Sequence, residues 1–296
     1  MDFNQIIQNF QAAMPLHGVT PPQHIIGDGK LYRFHVQGDK RGSKNGYYLL
    51  FMNHISCGIF GTWKIGITHK WCSKKREYMS NWEYKEYKRQ IEEAKLQHAA
   101  VRAREQAEAA RLAEHIFYSC SFADPKHLYL VRKCIKPFYA RQRGNNLVLP
   151  VINFNGEFSS LQYIAPNGGK WFLSNGVISG HFIPIQHQLV ASRKILICEG
   201  FSTAGALAQK YPDACVIAAC NAGNLKSVAV SIRQHLPESE LVIGADIDPI
   251  GLLKAREAAR AVNATIIKPK FPSGVSKKLN DFNDLFCLVG SGEPQV

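Results

Sequence analysis

Short, almost continuous apolar runs alternate with stretches of helical periodicity over the last third of the chain. Strands that are apolar throughout lie in sheets covered on both faces, and helices between such strands connect them in parallel. The pattern therefore predicts a parallel α/β sheet after residue 192. Its predicted strands are 194–198, 215–220, 241–245 and 265–268, and its predicted helices are 202–210, 225–236 and 250–262.

Two earlier stretches have the pattern of antiparallel sheets. Residues 30–71 combine β-favouring runs with Gly-rich breaks, and residues 147–185 contain alternating runs separated by Asn-Gly steps such as Asn155-Gly156. Asn-Gly steps favour the positive φ angles of hairpin turns. We therefore expect two β-rich modules, with runs at 31–36, 46–52, 57–67, 147–154, 158–164 and 171–173.

A stretch without Gly or Pro, residues 81–115, lies between the two β-rich modules and is filled with Lys, Arg, Glu, Gln and Ala. High helix propensity and opposite charges four residues apart predict one long, mostly solvated helix that acts as a spacer. The changes of pattern predict domains at 1–80, 81–119, 120–192 and 193–296.

The excess of positive charge lies in the first half of the chain. The sequence has 36 Lys and Arg against 23 Asp and Glu, a formal net charge of +13; residues 1–143 hold 23 basic and 12 acidic side chains, and residues 144–296 hold 13 and 11. Such a half is typical of a protein that binds a polyanion such as nucleic acid, and a merely soluble basic protein is the equal alternative. Trp63, Trp71 and Trp82 lie among basic residues and are candidates for stacking on unpaired bases, with burial in a core as the alternative.

The cysteine pattern and the hydropathy bear on the compartment. The eight cysteines form no Cys-x-x-Cys pair, no apolar run reaches the roughly 18 residues of a membrane span, and the first residues lack the pattern of a secretory leader. We therefore expect a soluble cytoplasmic protein with reduced thiols and no membrane partner. The spacing of His54, Cys57, His69 and Cys72 is one that zinc knuckles can use, but His54 and Cys57 straddle a predicted strand turn, so zinc is not expected.

Acidic residues follow two of the predicted parallel strands. Glu199 comes after the first strand, and Asp246 and Asp248 come after the third. Open α/β sheets bind ligands outside the carboxyl ends of their strands, so the three carboxylates converge if the first and third strands are neighbours. An Asp-x-Asp pair offers hard oxygen ligands of the kind that Mg²⁺ prefers, and Gly200 and Gly244 leave room for a phosphate.

A structural interpretation competes with the metal site, because Asp248 stands before Pro249 and could cap the helix that follows. A further acidic pair, Asp281 and Asp284, lies near the end of the chain. The coincidence of the three acidic clusters favours a metal site over a set of helix caps.

Residues 194–285 resemble a TOPRIM domain, the fold of bacterial primases, topoisomerases, OLD-type nucleases and RecR-like proteins. Glu199 matches the family glutamate, and Asp246 and Asp248 match its Asp-x-Asp. The resemblance implies an α/β fold class, with a TOPRIM parallel-sheet catalytic domain preceded by a β-rich subdomain, a long helical spacer and a small basic N-terminal β-rich domain.

The order of motifs before the glutamate strand resembles that of DnaG-type primases. The segments 147–151 and 169–174 carry this likeness, and Lys170 occupies the place of a lysine that lines the nucleic-acid groove in those proteins. The segments 221–225 and 281–285 resemble primases of conjugative plasmids and satellite phages.

The resemblance implies a DNA primase that makes short RNA primers on single-stranded DNA by metal-dependent nucleotidyl transfer, for a plasmid, phage or other mobile element. It implies Mg²⁺ or Mn²⁺ as cofactor, and a DNA template, NTPs and a separate replicative helicase as partners. Residues 1–80 would bind the template, and 120–192 would be the first part of the polymerase core. Glu199, Asp246 and Asp248 would be catalytic and hold metal, Asp281 and Asp284 would be further metal ligands, and Arg141, Arg143 and Lys170 would contact nucleic acid.

Two alternatives stay open at this point. A TOPRIM nuclease would use the same carboxylates with water as the nucleophile. A non-catalytic factor that binds single-stranded DNA would keep the basic half and tolerate loss of the acidic residues. A topoisomerase would need further DNA-gate domains with a tyrosine nucleophile, for which 296 residues leave no room.

Overall fold

The computed structural model describes residues 2–39, 42–63, 66–186, 194–276 and 279–290. The chain divides into two compact units, Met1–Arg104 and Glu105–Val296. The division falls inside helix α2 (Asn81–Ser119). The boundaries of the four domains expected from the sequence stay predictions.

The first unit is built on an antiparallel sheet in the order β1-β2-β3-β4. Alternate residues of β2 point to opposite faces: Tyr48 and Leu50 pack with Phe10 of helix α1, whereas Leu49 packs with Ile91 of α2. The run at 57–67 is not one strand, because it contains most of β3 and the first residue of β4. The elements are α1 Phe3–Ala13, β1 Tyr32–Phe34, β2 Gly46–Met52, β3 Ser56–Thr62 and β4 Ile67–Cys72.

Helix α2 confirms the long helix predicted from the charged stretch, and it ends at Ser119 rather than near residue 115. Its first part buries Ile91 in the core of the first unit, and its last part buries Ala113 and Phe117 in a core of the second. The helix is therefore solvated along its middle and packed towards its ends. In the described ranges no helix is both long enough and apolar enough to cross a membrane.

The second unit begins with an antiparallel sheet in the order β5-β6-β7-β8-β9. One face of this sheet, through Leu147 and Ile164, shares a core with the parallel sheet that follows, and the other face packs Val148 against Phe117 of α2. The elements are β5 Ser121–Phe122, α3 Leu128–Arg132, β6 Arg141–Arg143, β7 Asn146–Ile152, β8 Phe158–Ile164 and β9 Lys170–Phe172.

The predicted parallel sheet is confirmed, in the order β10-β12-β11-β13-β14, with β10 as an antiparallel edge. All four predicted strands form, and β11 pairs in parallel with β12 on one side and with β13 on the other. Helices α4 and α7 contribute to the core on one face, and α5 and α6 to the core on the other. The elements are β10 Ile183–Pro184, β11 Ile195–Cys198, α4 Phe201–Lys210, β12 Cys215–Ala218, α5 Leu225–His235, β13 Leu241–Gly244, α6 Pro249–Val262, β14 Thr265–Ile267 and α7 Phe282–Gly290.

Candidate active site

The candidate site lies at the carboxyl edge of the parallel sheet. Cys198 of β11 is in register with Gly244 of β13, so Glu199 and Asp246 leave neighbouring strands at the same edge. The three carboxylates were expected to converge only if the first and third parallel strands are neighbours, and β11 and β13 are. It follows from the crossover connection through α4, β12 and α5, which places the third strand beside the first.

Asp246 is the most perturbed acid at this edge. Burial raises its pKa to about 7, and the negative charges of Asp281, Glu199 and Asp248 add to the shift in that order. Its Oδ1 is buried without a hydrogen-bond partner in the part of the chain that the structure describes. A buried carboxylate oxygen without a donor is costly, and a bound cation would satisfy it.

Glu199 is held beside a donor and a cation. Burial raises its pKa, and so does the charge of Asp248, whereas a hydrogen bond from the backbone N–H of Ala222 and the charge of Lys170 lower it. A Cβ added at Gly200 would meet only the Lys170 Nζ, at 3.8 Å. The backbone at Gly200 is therefore open next to a lysine, which is a suitable surface for a phosphate.

The space at the second glycine is filled. A Cβ at Gly244 would lie 3.2 Å from Leu207 and 3.3 Å from Cys198. Gly244 thus permits close packing of β13 against its neighbours and offers no room for a phosphate, which corrects the expectation from the sequence.

Asp248 caps helix α6, as the structural interpretation of the sequence expected. Its Oδ1 accepts hydrogen bonds from the backbone N–H groups of Ile250 and Gly251, both at 3.0 Å. A Cβ at Gly251 would lie 2.9 Å from the Asp248 Oδ2 and 3.1 Å from the Asp246 Cβ, so this approach requires glycine. The cap uses one carboxylate oxygen and leaves the other beside Asp246.

Asp281 joins this cluster, and the charge of Asp284 also raises the pKa of Asp246. The backbone N–H of Ile247 donates to the Asn280 carbonyl at 2.8 Å, which fixes the start of α7 beside Asp246. Asp281 Oδ1 accepts from the Asp284 N–H at 2.7 Å, and burial raises its pKa. Asp284 Oδ1 lies 3.7 Å from the Lys133 Nζ. Lys133 and Asp284 are far apart in the chain, and the sequence did not predict this contact.

Asn224 is a functional candidate for which the sequence predicted no role, although it lies in the segment 221–225 that resembles plasmid and phage primases. It follows Ala222 in the 3-10 helix Ala222–Asn224, and the residue is 5% exposed. Its amide joins the end of β12 to the loop before β10, and it thereby fixes the turn that presents the Ala222 N–H to Glu199. Its partners are Gly180 N, Ile178 O, His181 O and Ala219 O, each at 2.8 to 2.9 Å.

The structure places Lys170 on the face that looks towards the parallel sheet. Lys170 is in register with Ile164, and Ile164 with Leu147. Residues directly opposite on neighbouring strands share a face, and both apolar partners belong to the core shared with β11. Lys170 therefore reaches the carboxylate edge.

Arg141 and Arg143 lie on the opposite face. Arg141 is in register with Val148, which packs against Phe117, and Arg143 follows two residues later on the same strand. The Arg141 guanidinium lies 3.9 Å from the centre of the Phe122 ring and donates to the Cys120 carbonyl at 3.3 Å. The structure does not bring these two arginines to the carboxylates.

Across the described ranges, no three His, Cys, Asp or Glu side chains form a ready-made set of metal ligands. Two of the residues with zinc-knuckle spacing make other contacts: the Cys57 thiol donates a hydrogen bond to Gln90 at 2.9 Å, and the His69 ring stacks on His17. Mg²⁺ takes only one or two carboxylates and keeps water or substrate phosphates as its other ligands. The unpartnered Asp246 oxygen beside Glu199 fits that demand.

Residues 194–292 match the family model of the Toprim domain. The chain is 30% identical over 277 residues to a DNA primase TraC of Escherichia coli, which covers 86% of this chain and 25% of that protein. A second DNA primase TraC of Escherichia coli is 28% identical over 263 residues, covering 84% of this chain and 18% of that protein. The chain thus spans a quarter or less of the length of these relatives.

Among solved structures, the DnaG primase catalytic domain bound to ssDNA aligns with a TM-score of 0.45 at 13% identity, covering 63% of this chain and 78% of that one. The primase fragment of the bacteriophage T7 primase-helicase protein aligns with a TM-score of 0.44 at 14% identity, covering 55% and 70%. The resemblance expected from the motifs is confirmed by the family match and the TraC relatives: the chain carries a Toprim domain and is related in sequence to DNA primases of the TOPRIM type.

Proposed function

We propose that this chain is a DNA primase that synthesises short RNA primers on single-stranded DNA by metal-dependent nucleotidyl transfer. The sequence relation to DNA primase TraC over most of the chain supports this reaction. The observation that carries it is the buried Oδ1 of Asp246, which has no hydrogen-bond partner among the described residues and lies beside Glu199 at the carboxyl edge of a Toprim sheet.

Asp246 and Glu199 would hold Mg²⁺ or Mn²⁺, with the second oxygen of Asp248 and the carboxylate of Asp281 next to them. When bound, the metal supplies charge neutralisation on the phosphoryl oxygens and lowers the pKa of a coordinated hydroxyl. Asp284 keeps Lys133 and the start of α7 in place, so we assign it a supporting role.

The remaining groups bind and orient the nucleotides. Lys170 would contact a phosphate that approaches the open backbone at Gly200, because a lysine there offsets the negative charge that the carboxylates leave. Glu199 either holds metal or accepts the proton of the attacking 3′-hydroxyl. The Ala222 N–H beside it lowers the pKa of this carboxyl and so favours its charged form, which either role requires.

The proposal includes a template of single-stranded DNA, NTPs as substrates, a separate replicative helicase and a place in the cytoplasm, in the replication of a plasmid, phage or mobile element. Arg143, which is exposed, would contact template phosphates away from the catalytic edge. Arg141, whose guanidinium is engaged by Phe122 and Cys120, would support that strand rather than bind DNA.

The proposal is tested with circular single-stranded DNA, Mg²⁺ and labelled NTPs, comparing the wild-type chain with Asp246→Asn. We expect labelled ribonucleotide chains from the wild type and a loss of about 100-fold or more in the variant, since the buried anion would no longer hold metal. Asp213→Asn is the matched control, because exposed Asp213 precedes β12 at the opposite edge of the same sheet, and it should retain activity.

Three results would contradict the proposal. DNA that shortens while no ribonucleotide is incorporated would indicate a nuclease built on the same carboxylates. Binding of the DNA with neither reaction would indicate a non-catalytic factor. Synthesis that survives Asp246→Asn would remove the metal role of the carboxylate edge.

A further inference from the structure

Two cysteines that are far apart in the sequence meet in the second unit. The Cys287 Sγ of helix α7 lies 4.0 Å from the carbonyl oxygen of Arg132, two residues before Cys134, and the neighbouring Cys134 thiol acts on the pKa of Cys287. Cys134 is exposed and Cys287 is partly buried, so solvent reaches the pair from the Cys134 side. Neither residue belongs to the candidate active site.

Helix α7 is seated on the turn that carries Cys134. The Asn283 side chain donates to the Lys133 carbonyl at 2.6 Å, and the Cys287 Sγ lies 4.0 Å from the Arg132 carbonyl oxygen. Lys133 also faces Asp284 at 3.7 Å. These contacts seat α7 on the backbone of the turn and so place Cys287 beside Cys134.

Cys134 occupies a position where glycine is the favoured residue. Its φ is 52°, its N–H donates to the Val131 carbonyl, and the Ile135 N–H donates to the Leu130 carbonyl, both at 3.1 Å. This bond pattern is a Schellman motif at the end of α3, with buried Ile135 and Leu130 as its hydrophobic contact. A cysteine at the left-handed position is strained relative to glycine, so the requirements of the turn do not explain the thiol.

We propose that Cys134 and Cys287 form a reactive dithiol that a low-molecular-weight disulfide such as glutathione disulfide converts into an intramolecular disulfide. The Cys134 thiolate attacks one sulfur of the oxidant, forming a mixed disulfide and releasing one thiolate. Cys287 then loses its proton, attacks the Cys134 sulfur and releases the second thiolate. The two protein thiols are oxidised, the external disulfide is reduced to two thiols, and the protons pass to the released thiolates.

The other cysteines are less suited to this reaction. Cys57 stands opposite Cys72 on β3 and β4, but Cys57 is fully buried, donates to Gln90, and has its pKa raised to about 12, chiefly by burial. Burial likewise raises the pKa of Cys220 to about 12. For Cys287, burial and the Cys134 contact raise the pKa to about 11, and the neighbouring charge of Lys133 opposes them. The exposed Cys134 is therefore the point of entry for the oxidant.

The bond would tie helix α7 to the turn after α3. Because α7 begins directly after Asp281, oxidation would restrict the motion of one side of the carboxylate cluster. The modification itself does not rest on the proposed function, and it is measured without any activity.

The test treats the reduced chain of residues 1–296 with glutathione disulfide in the presence of a chelator and follows intact mass, peptide mapping and thermal unfolding. We expect the wild type to lose the mass of two hydrogen atoms, to yield a cross-linked peptide pair containing Cys134 and Cys287, and to melt about 5–10 °C higher in its second unit. Dithiothreitol should reverse both changes.

Matched variants separate the pair from its surroundings. Cys287→Ser should give a glutathione adduct on Cys134 with no cross-link, whereas Cys72→Ser should behave as the wild type. Cys134→Gly removes the thiol while suiting the left-handed turn, so its reduced form should melt no lower than the wild type and should not cross-link. A cross-link between Cys57 and Cys72, or a wild type that stops at the glutathione adduct, would overturn the proposal.

Discussion

Asp246 combines burial with a charge that is repelled by its neighbours, and this makes the metal-free protein sensitive to pH. Its pKa is raised from 3.8 to about 7. Between these values the folded state keeps a proton that the unfolded chain releases, so the free energy of unfolding falls as pH rises through the window. Relative to acidic pH, this one group lowers the free energy of unfolding at neutral pH by an amount on the order of 4 kcal/mol.

We therefore expect Asp246→Asn to unfold at higher temperature than the wild type at neutral pH in a chelator, and to lack the loss of stability between about pH 4 and pH 7. Thermal unfolding of both proteins across that range measures the difference. Mg²⁺ should raise the melting temperature of the wild type and leave that of the variant unchanged. Equal pH dependence in the two proteins would mean that Asp246 is not the buried anion.

At the residue scale, the sequence predicted those site residues whose place depends on the end of a strand. Glu199 and Asp246 were placed at strand ends in this way, because apolar runs mark where parallel strands stop, and their role in a site stays a prediction. Asn224 and Lys133 were not assigned roles, because their partners come from segments distant in the chain. Arg143 and Lys170 lie on opposite faces of the sheet because of the register of its strands, and the register cannot be predicted from composition.

Elements of the second unit meet at the first turn of α6, where Asp248 acts as a cap. Replacing Asp248 by Ala should cost about 1 kcal/mol, because the N–H groups of Ile250 and Gly251 lose their acceptor. Asp248→Asn should cost little, because asparagine caps as well as aspartate. Amide hydrogen exchange in the first turn of α6 measures the effect locally, and faster exchange in the Ala variant alone is the expected outcome. Equal exchange rates in both variants would mean that the Asp248 side chain does not stabilise the first turn of α6.

Elements with a strong period were predictable, and those defined by contacts were not. The parallel strands and α2 follow from unbroken apolar runs and from helix propensity. Helix α7 was quoted only as a motif, since its stability comes from caps at Asp281 and Asp284 and from packing against α4. The run at 57–67 is divided between β3 and β4, although it contains Gly66, whose φ of 69° favours a turn before β4.

At the scale of the whole molecule, positive charge and an exposed aromatic ring coincide in the first unit. Residues 1–104 hold 16 Lys and Arg against 8 Asp and Glu. Of the three tryptophans considered for base stacking, Trp71 packs on Phe10, and Trp63 lies between Tyr47 and Arg33. Trp82 is 59% exposed and contacts the edge of His54. Trp82 is therefore the tryptophan available to an unpaired base.

We expect Trp82→Ala to weaken binding of a labelled single-stranded oligonucleotide by about 1–3 kcal/mol, the range for loss of one stacked base, with Trp82→Phe restoring most of the affinity. Fluorescence anisotropy over a series of salt concentrations measures both the affinity and its salt dependence. The slope of log K against log salt should be the same in wild type and variant, because tryptophan carries no charge and the phosphate contacts remain.

Trp171→Ala is the matched control, because Trp171 is also exposed but stacks on Tyr163 in the second unit. If the first unit holds the template, this change should leave the affinity within about twofold, since no stacked base is lost. A larger loss with Trp171→Ala than with Trp82→Ala would move the binding surface to the sheet that carries Arg143 and Lys170. The charge of the first unit would then serve solubility, which was the alternative that composition left open.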